Sequence, residues 1–219
     1  MEIPAEGLML LINKPIGWTS FDVVRKLRYT LKIKKIGHAG TLDPLASGLL
    51  IVCAGKMTKQ IDAFMGMEKE YTGTLTIGHT TPSYDLETQP ENEKEYHHIT
   101  KEFASEVFKK FVGEIEQIPP AHSAIKVNGK RAYELARKGK EVELKKRKIK
   151  ITSFEITSFE LPHIDFKVVC SKGTYVRSLA REVGEALGTG AYLSALCRTR
   201  IGNFLLADAK EIESFKKEE

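Results

Sequence analysis

The 219-residue sequence predicts an α+β fold in a single domain over residues 1–219. In some segments, such as residues 70–77, apolar and polar residues alternate, which is typical of strands. In others, apolar residues recur every three or four positions, which is typical of helices. Several adjacent strand segments are separated by turns too short for a crossover helix, so a mixed or largely antiparallel sheet is expected.

The first half of the chain contains two apolar runs and two helical patterns. Residues 8–12 and 49–52 are apolar runs of strand length, so two buried strands are predicted there. A helix is predicted after the Thr19-Ser20 pair, because either hydroxyl is able to cap it. A short helix is predicted over residues 58–64.

The second half begins with a polar stretch over residues 79–98, which holds two prolines and few aliphatic residues and is expected to be a surface loop. The elements predicted after it each follow from a cap, a turn pair or a periodic pattern. In order, they are a helix after Thr100, a hairpin turn at Asn128-Gly129, a helix over residues 131–138, strands within residues 145–171, a helix over residues 174–187 that ends at Gly188, and a strand over residues 201–206 followed by a short helix.

The composition argues against several classes of protein. Lys and Arg number 34 against 29 Asp and Glu, and a formal net charge of +5 permits an acidic partner without requiring one. The sequence has no run of about 18 apolar residues, so no membrane span is expected, and its start does not resemble a signal peptide. The three cysteines lie far apart and in no CxxC pair, which fits a reducing cytoplasm.

A glycine-rich segment over residues 37–55 contains the most informative acidic residue, Asp43. A carboxylate on such a loop beside a buried strand is able to serve as a nucleophile or base. Because Asp-Pro turns are common, the spacing of Asp43-Pro44 alone favours a simple turn. A phosphate-binding loop is not supported, since the segment contains neither GKS or GKT nor GxGxxG. The six histidines show no HxxxH or HExxH spacing, so no metal site is expected.

A second informative segment, residues 171–181, passes from a strand into a helix at Gly173-Thr174. The free N–H groups at a helix start suit an anion, and Arg177 in the first turn is able to bind a carboxylate or phosphate there. The alternative is an exposed Arg177 that pairs with Glu182 or with solvent, which is the commoner case on a helix.

Positive charge is concentrated over residues 126–150, with eleven Lys or Arg residues against three Glu. A basic segment of this density suits a polyanion such as RNA. A solvated face of a strand and a helix has the same composition, so charge alone leaves both interpretations open. The candidate contacts to an RNA backbone are Lys126, Lys130, Arg131, Lys145, Lys146, Arg147 and Lys148.

Five blocks of the sequence together resemble the TruB family of tRNA pseudouridine synthases, of the bacterial type. In family order they are GLMLLINKPIGWTSFDVV, KIGHAGTLDPLASGLLIV, KEYTGTLTIG, IEQIPPAHSAIKVNGKRAYELARKG and CSKGTYVRSLAREVGEALG. They cover nearly the whole chain, and the GTLDPLASG part is highly specific. The resemblance implies isomerisation of uridine to pseudouridine at position 55 in the T-loop of tRNA, without cofactor or metal. It also implies a mixed, largely antiparallel sheet in two halves, flanked by helices, with the active cleft between them.

The resemblance also assigns roles to single residues. It implies that Asp43 is the nucleophile, that Arg177 pairs with it and that Tyr71 lies against the target base. The residues implied for binding the substrate are Lys14 close to the active cleft, His38 against the T-loop, and Tyr175 and Leu196 in the base pocket.

The sequence departs from the family pattern in two places. Family members usually continue into a C-terminal RNA-binding PUA domain, and no such domain is expected in this chain. The loop after Gly78 keeps Asp85 but loses other residues typical of the family. With the T-stem-loop of tRNA as the implied partner, and no protein partner, we expect a cytoplasmic monomer. Two alternatives to the isomerase are a tRNA-binding folding factor with secondary catalytic activity and a basic RNA-binding domain without activity.

Overall fold

The computed structural model describes residues 4–121, 123, 126–127, 129–132, 135 and 144–215. Contacts divide the chain into two compact units, which are described separately. Unit 1 comprises Met1–Thr72 and Ala195–Glu219, and unit 2 comprises Gly73–Ser194. Two strands, β4 (Lys69–Ile77) and β10 (Ala191–Ile201), contribute residues to both units.

Unit 1 is built on a mixed sheet. Its other elements are β1 (Leu8–Lys14), α1 (Ser20–Thr30), β2 (Ile36–Ala39), β3 (Ser47–Ala54), a 3-10 helix over Gly55–Gln60, α2 (Ile61–Gly66), β11 (Phe204–Leu205), β12 (Lys210–Glu211), and 3-10 helices over Leu206–Asp208 and Ile212–Ser214. The strand order is β12-β1-β3-β10-β4, with β2 paired to β3 and β11 to β10. Strands β1 and β2 run antiparallel to β3, whereas β10 runs parallel to it.

Helix α1 covers one face of this sheet because its apolar residues repeat at helical spacing. Thr19 caps the helix, since its hydroxyl accepts from Asp22 N at 3.0 Å while the Asp22 carboxylate accepts from Thr19 N at 2.9 Å. The buried residues of this face form one cluster, which includes Val23, Val24, Leu27, Ile12, Leu50 and Val52. Each such side chain contributes about 1.5–3 kcal/mol of stabilisation through its burial.

Unit 2 contains a largely antiparallel sheet and two helices among its described residues. Its elements are α3 (Lys101–Lys109), β5 (Gly113–Gln117), β6 (Lys126–Val127), β7 (Lys130–Arg131), β8 (Arg147–Glu160), β9 (His163–Cys170) and α4 (Val176–Leu187). The strand order is β10-β4-β9-β8-β5, and β6 and β7 form a separate hairpin. The core contains Phe108 of α3, which stacks on Phe154 of β8 with ring centroids 4.2 Å apart.

Most of the predicted elements are confirmed. The α+β class holds, helix α3 is capped by Thr100, and helix α4 ends at Gly188, which adopts φ +80° as a left-handed cap. Lys126 and Val127 pair antiparallel with Arg131 and Lys130, as the predicted hairpin requires, while Asn128 of the predicted turn lies outside the described residues. Of the helix predicted over residues 131–138, residues 133, 134 and 136–138 lie outside the described residues.

Three predicted elements differ from the structure by more than the positions of their end residues. The strand predicted over residues 201–206 is wrong, because β10 ends at Ile201 and Gly202, at φ +54°, turns the chain back into β11. The short helix predicted at the end is a pair of 3-10 helices on either side of β12. Helix α2 begins at Ile61, after a 3-10 helix over the preceding residues. In the described part of the chain, no helix is long and apolar enough to cross a membrane.

Candidate active site

Asp43 lies on the loop between β2 and β3, and backbone and hydroxyl contacts hold that loop on both sides. Ser20, the first residue of α1, accepts a hydrogen bond from Leu42 N at 2.8 Å and donates one to Leu42 O at 3.2 Å. Gly17 N donates to Pro44 O at 2.8 Å. Asp43 itself is half-buried. The loop therefore presents a partly exposed carboxylate from a fixed backbone.

Lys14 ends strand β1 and is completely buried. Its ammonium group donates to Pro15 O at 2.9 Å and to Trp18 O at 2.6 Å, which holds the turn that leads into α1. Burial lowers the pKa of Lys14 to about 8, the negative charge of Asp43 opposes that shift, and the positive charge of Arg198 adds to it. Lys14, Asp43 and Arg198 therefore belong to one electrostatic neighbourhood within unit 1.

His38, on β2, is half-buried beside the same neighbourhood. Burial lowers the pKa of His38, and the nearby Arg198 guanidinium lowers it further. The imidazole is therefore neutral at pH 7, and a neutral ring is suited to hydrogen bonding or stacking with a nucleobase rather than to ion pairing with phosphate.

Tyr71 lies on β4 with only 9% of its surface exposed. Two residues earlier on the same face, the buried Lys69 donates to Met65 O at 2.6 Å and to Met67 O at 2.5 Å. These bonds tie the start of β4 to the end of α2, so the backbone that carries Tyr71 is anchored. Leu196 lies on β10 and is half-buried. Unit 1 thus contains five of the seven residues assigned to catalysis or base binding.

Arg177 lies in the first turn of α4 in unit 2 and is 4% exposed. Its Nε lies 3.4 Å from Asp85 Oδ2, and its Nη1 donates to Ser83 O at 3.2 Å. The alternative of an exposed Arg177 paired with Glu182 is therefore wrong. Arg181 makes that contact instead, with its Nη2 3.3 Å from Glu182 Oε1.

Tyr175 caps the start of α4 and is held by an amide side chain. Gln117 Oε1 accepts from Tyr175 N at 2.8 Å, and Gln117 Nε2 donates to Tyr175 O at 3.1 Å. The Arg147 guanidinium lies over the Tyr175 ring, 4.4 Å from its centroid. The two hydrogen bonds hold the Tyr175 backbone beside Gln117, the last residue of β5, and the cation–π contact holds the ring.

The basic segment is only partly described. Lys145, Lys146 and Lys148 are exposed, whereas Arg147 is half-buried against the Tyr175 ring. Acidic residues of β5 offset part of this charge, since Glu116 is the register partner of Lys148 and its carboxylate lies 3.7 Å from Lys146 Nζ. Three other predicted contacts, Lys126, Lys130 and Arg131, have described backbone in β6 and β7 but no described side chains.

The structure adds residues that sequence reasoning missed. Arg198 on β10 is 1% exposed and donates to the carbonyls of Leu49 at 2.7 Å and Gly40 at 3.2 Å. An arginine within an apolar strand pattern is a sequence signal for a buried cation, but the pattern does not identify its partners. Gln117 has no local signal at all. Among the described residues, no group of three His, Cys, Asp or Glu side chains is arranged to hold a metal ion.

Comparison with solved structures defines the class of protein. The fold is similar to that of a chain in a crystal structure of a Cbf5-Nop10-Gar1 complex, with a TM-score of 0.71, 32% identity and 91% of this chain covered. This chain spans 50% of that one. A crystal structure of a pseudouridylate synthase also matches over 94% of this chain and 68% of the other, at 16% identity and a TM-score of 0.51, and it supports the fold alone. The fold is that of a pseudouridine synthase.

Sequence comparison identifies the family. Residues 28–176 match the model of the TruB family pseudouridylate synthase N-terminal domain. The chain is 56% identical over 218 residues to tRNA pseudouridine synthase B of Parabacteroides distasonis, covering 95% of this chain and 93% of that protein. This chain therefore belongs to the TruB family of pseudouridylate synthases, as its five sequence blocks indicated.

Proposed function

We propose that this chain isomerises uridine to pseudouridine at position 55 in the T-loop of tRNA, with Asp43 as the nucleophile. The observation that carries the proposal is the placement of Asp43. It is a partly exposed carboxylate on a loop anchored to α1 and to the turn after β1, beside the buried cation Lys14. Membership of a family of pseudouridylate synthases supports the reaction class.

The proposed reaction is an internal transfer of the base. The bond between uracil N1 and ribose C1′ breaks, the base turns, and a bond forms between C5 and C1′. The proton on C5 is lost and N1 gains one, so the product is an isomer of the substrate and no external reagent is consumed. The Asp43 carboxylate supplies the negative charge that this path needs, either as a covalent nucleophile or beside a cationic sugar.

The other assigned residues take supporting roles in this proposal. Tyr71 stacks on the uracil ring and its hydroxyl accepts or passes a proton. Arg177 takes the role that the family resemblance implies for it, as the cation that keeps the Asp43 carboxylate ionised. Tyr175 and Leu196 line the base pocket, Lys14 supports the loop, and the neutral ring of His38 meets the T-loop. The target base has to leave its stack to reach Asp43, at a cost of about a few kcal/mol.

We further propose that tRNA is bound by a cytoplasmic monomer without a protein partner. The basic segment supplies phosphate contacts through exposed lysines such as Lys145, Lys146 and Lys148. In this proposal the lysines that contact the phosphates are therefore separate from the residues that perform the chemistry. A tRNA-binding folding factor with secondary activity remains the second candidate, since the same basic surface serves both functions.

The test is to incubate an RNA T-stem-loop with wild-type protein and with Asp43→Asn, and to measure pseudouridine by chemical labelling. We expect no product with Asp43→Asn, while its thermal unfolding and RNA binding stay at wild-type values because the loop backbone is held by Ser20 and Gly17. Asp62→Asn, an exposed aspartate of α2, is the matched control and is expected to remain active. Product formation by Asp43→Asn at a near wild-type rate contradicts the nucleophile assignment.

The same variant separates the two candidate functions. If Asp43→Asn lacks isomerase activity but refolds misfolded tRNA as well as wild type does, the folding activity is independent of the chemistry. If refolding also fails although binding is retained, isomerisation is the primary function.

A further inference from the structure

Arg198 is a fully buried cation that no step of the proposed reaction uses. It lies on β10 in unit 1, with 1% of its surface exposed, and is among the largest buried side chains of the protein. Its Nε donates to Leu49 O at 2.7 Å and its Nη2 donates to Gly40 O at 3.2 Å. A buried guanidinium is usually paired with a carboxylate. The hydrogen bonds of Arg198 to two neutral carbonyls therefore indicate a role in holding the backbone.

The two carbonyls lie on either side of the loop that carries Asp43. Gly40 directly follows β2, and Leu49 is the third residue of β3. One planar guanidinium therefore joins the two ends of the loop across its base. The backbone of Arg198 adds a second connection, because it is the register partner of Gly48 in the parallel pairing of β10 with β3.

The two glycines at the loop ends fit closely around Arg198. Gly40 adopts φ +96°, and a Cβ placed there would lie 3.5 Å from Arg198 Nη1. Gly48 adopts φ +104°, and a Cβ there would lie 2.4 Å from Arg198 O, which is closer than atoms approach. Because these two glycines of the GHAGTLDPLASG block have no side chain, the backbone packs directly against Arg198 there. They also allow the positive φ angles that the turn requires.

The charge of Arg198 also acts on the loop. The charges of both Asp43 and Arg198 affect the pKa of Lys14. The carboxylate and the guanidinium therefore share one electrostatic neighbourhood. The other titratable groups there are His38 of β2, which is affected by Arg198, and Asp22 of α1, which affects Lys14. Cys197 approaches Gly48 from β10. Asp43 is the carboxylate of the loop itself, and a fixed positive charge at the loop base favours the ionised form of such a group.

We propose that Arg198 is a positioning residue for catalysis, which fixes both ends of the Asp43 loop through one guanidinium and favours the ionised carboxylate through its charge. This proposal rests on the proposed role of Asp43 as the nucleophile. Arg198 is not a catalytic residue. It influences the reaction by holding the backbone of the Asp43 loop and by placing a positive charge at the base of that loop.

The test compares Arg198→Lys and Arg198→Met with wild type, measuring kcat, KM and the pH dependence of kcat on an RNA T-stem-loop. Lysine keeps the charge but cannot reach both carbonyls with a rigid fork, so Arg198→Lys should lower kcat by about tenfold to a hundredfold, as small misplacements of a reacting group do, with KM within about twofold. Arg198→Met also removes the charge. It should lower kcat further and move the acid limb of the pH profile upward, because the cation that favours the ionised carboxylate is lost.

Arg200→Lys is the matched control. Arg200 is two residues further along β10 and contacts Glu68 at 3.2 Å and Glu70 at 3.8 Å, away from the loop ends. We expect its kcat and its pH profile to match wild type.

Loss of folded protein does not obscure the result, because the midpoint of the acid limb is independent of the amount of active enzyme. A wild-type kcat for Arg198→Lys, or a pH profile of Arg198→Met that superposes on wild type, overturns the proposal. Activity of Asp43→Asn measured in parallel separates the two failures. If Asp43→Asn is inactive and the Arg198 variants behave as wild type, only the positioning role is wrong; if Asp43→Asn is active, the proposed function itself is wrong.

Discussion

The two units bury an arginine each in different ways, and the difference bears on their roles. Arg177 of unit 2 lies 3.4 Å from the Asp85 carboxylate, so an acidic partner within its own unit balances its charge. Arg198 of unit 1 donates to two backbone carbonyls, which leaves its charge to act on the surrounding loop. Removing one partner of a buried ion pair is strongly destabilising, because the other charge is left buried without compensation. A planar guanidinium bound to two carbonyls instead holds the backbone in one geometry.

The loops associated with the two arginines also differ in how they place an acidic residue. The loop of Asp43 in unit 1 is held through backbone atoms, by Ser20 and Gly17, and leaves its carboxylate half-buried. The polar loop in unit 2 instead buries one of its acidic residues, Asp85, which is 5% exposed and accepts from Glu87 N at 3.0 Å. Unit 1 thus presents an accessible carboxylate, and unit 2 uses its carboxylate for structure. Changes at the Asp43 loop of unit 1 are therefore expected to affect mainly chemistry, and loss of the Arg177–Asp85 ion pair of unit 2 is expected to affect stability as well.

After the complete loss of activity expected for Asp43→Asn, the largest effect is expected for Tyr71→Phe in unit 1. Removal of the hydroxyl should lower turnover by about a hundredfold to ten-thousandfold, the range for loss of a general acid or base, while the ring continues to stack on the base. Single-turnover rates and RNA affinity, measured side by side, check this. Tyr29→Phe, at an exposed tyrosine of α1, is the control. A loss of binding equal to the loss of rate would instead assign the hydroxyl to substrate binding.

The second effect tests the ion pair of unit 2. Arg177→Met should lower the free energy of unfolding by about 3–5 kcal/mol, because Asp85 is left buried without its cation. Arg177→Met combined with Asp85→Asn should recover part of that loss, since the uncompensated charge is gone. Urea denaturation of the wild type and the three variants measures the coupling. Additive effects of the two changes would show that the pair does not stabilise unit 2.

The third effect is a pH dependence of stability that belongs to Lys14 in unit 1. The pKa of its ammonium falls from 10.5 to about 8 on folding. Between these pH values the unfolded chain binds more protons than the folded one, so the free energy of unfolding should rise with pH in the wild type relative to Lys14→Met. The relative gain should approach about 3 kcal/mol by pH 10.5 and vanish below pH 8.

Urea denaturation at several pH values between 7 and 10.5 checks the Lys14 prediction. Burial raises the pKa of the Cys53 thiol to about 11, which acts in the opposite direction, but both proteins contain Cys53 and the difference between them cancels it. Parallel stability curves for wild type and Lys14→Met would mean that Lys14 is not buried as a charged group.

The smallest effect is expected at the basic surface of unit 2. Replacement of Lys145, Lys146 and Lys148 by Gln should reduce the slope of log affinity against log salt by about two, since each phosphate contact contributes about 0.7 to 0.9. Turnover at saturating RNA should stay within about twofold of wild type, because these side chains only position the substrate. Fluorescence titrations at several salt concentrations measure the slope.

The control for the basic surface removes the same charge elsewhere in unit 2. Lys101, Lys109 and Lys110 are exposed on or next to α3, and their replacement by Gln is expected to leave the salt slope nearly unchanged. Equal slopes for the two triple variants would show that the basic segment is a solvated face. Arg147 is excluded from both sets, because its contact with the Tyr175 ring makes it part of the structure around α4.

The sequence by itself determined the fold class, the caps of the main helices and the family. These features depend on short-range patterns: Thr100 and Gly188 bound helices α3 and α4 because a hydroxyl cap and a left-handed glycine act within a few residues. The loop of Asp43 was also evident, since glycines and Asp-Pro mark a turn locally. The strand predicted over residues 201–206 failed because a single glycine at φ +54° reverses the chain, which the apolar pattern does not show.

Only the tertiary structure decided which groups surround the candidate site residues. Arg198 and its acceptor Leu49 are 149 positions apart in the chain, and Arg177 and Ser83 are 94 apart. No periodicity or motif spans such separations, so the different partners of the two arginines did not follow from the sequence. Burial depends on how the sheet packs. Two arginines that look alike in the sequence therefore form an ion pair in unit 2 and hydrogen bonds to both ends of the Asp43 loop in unit 1.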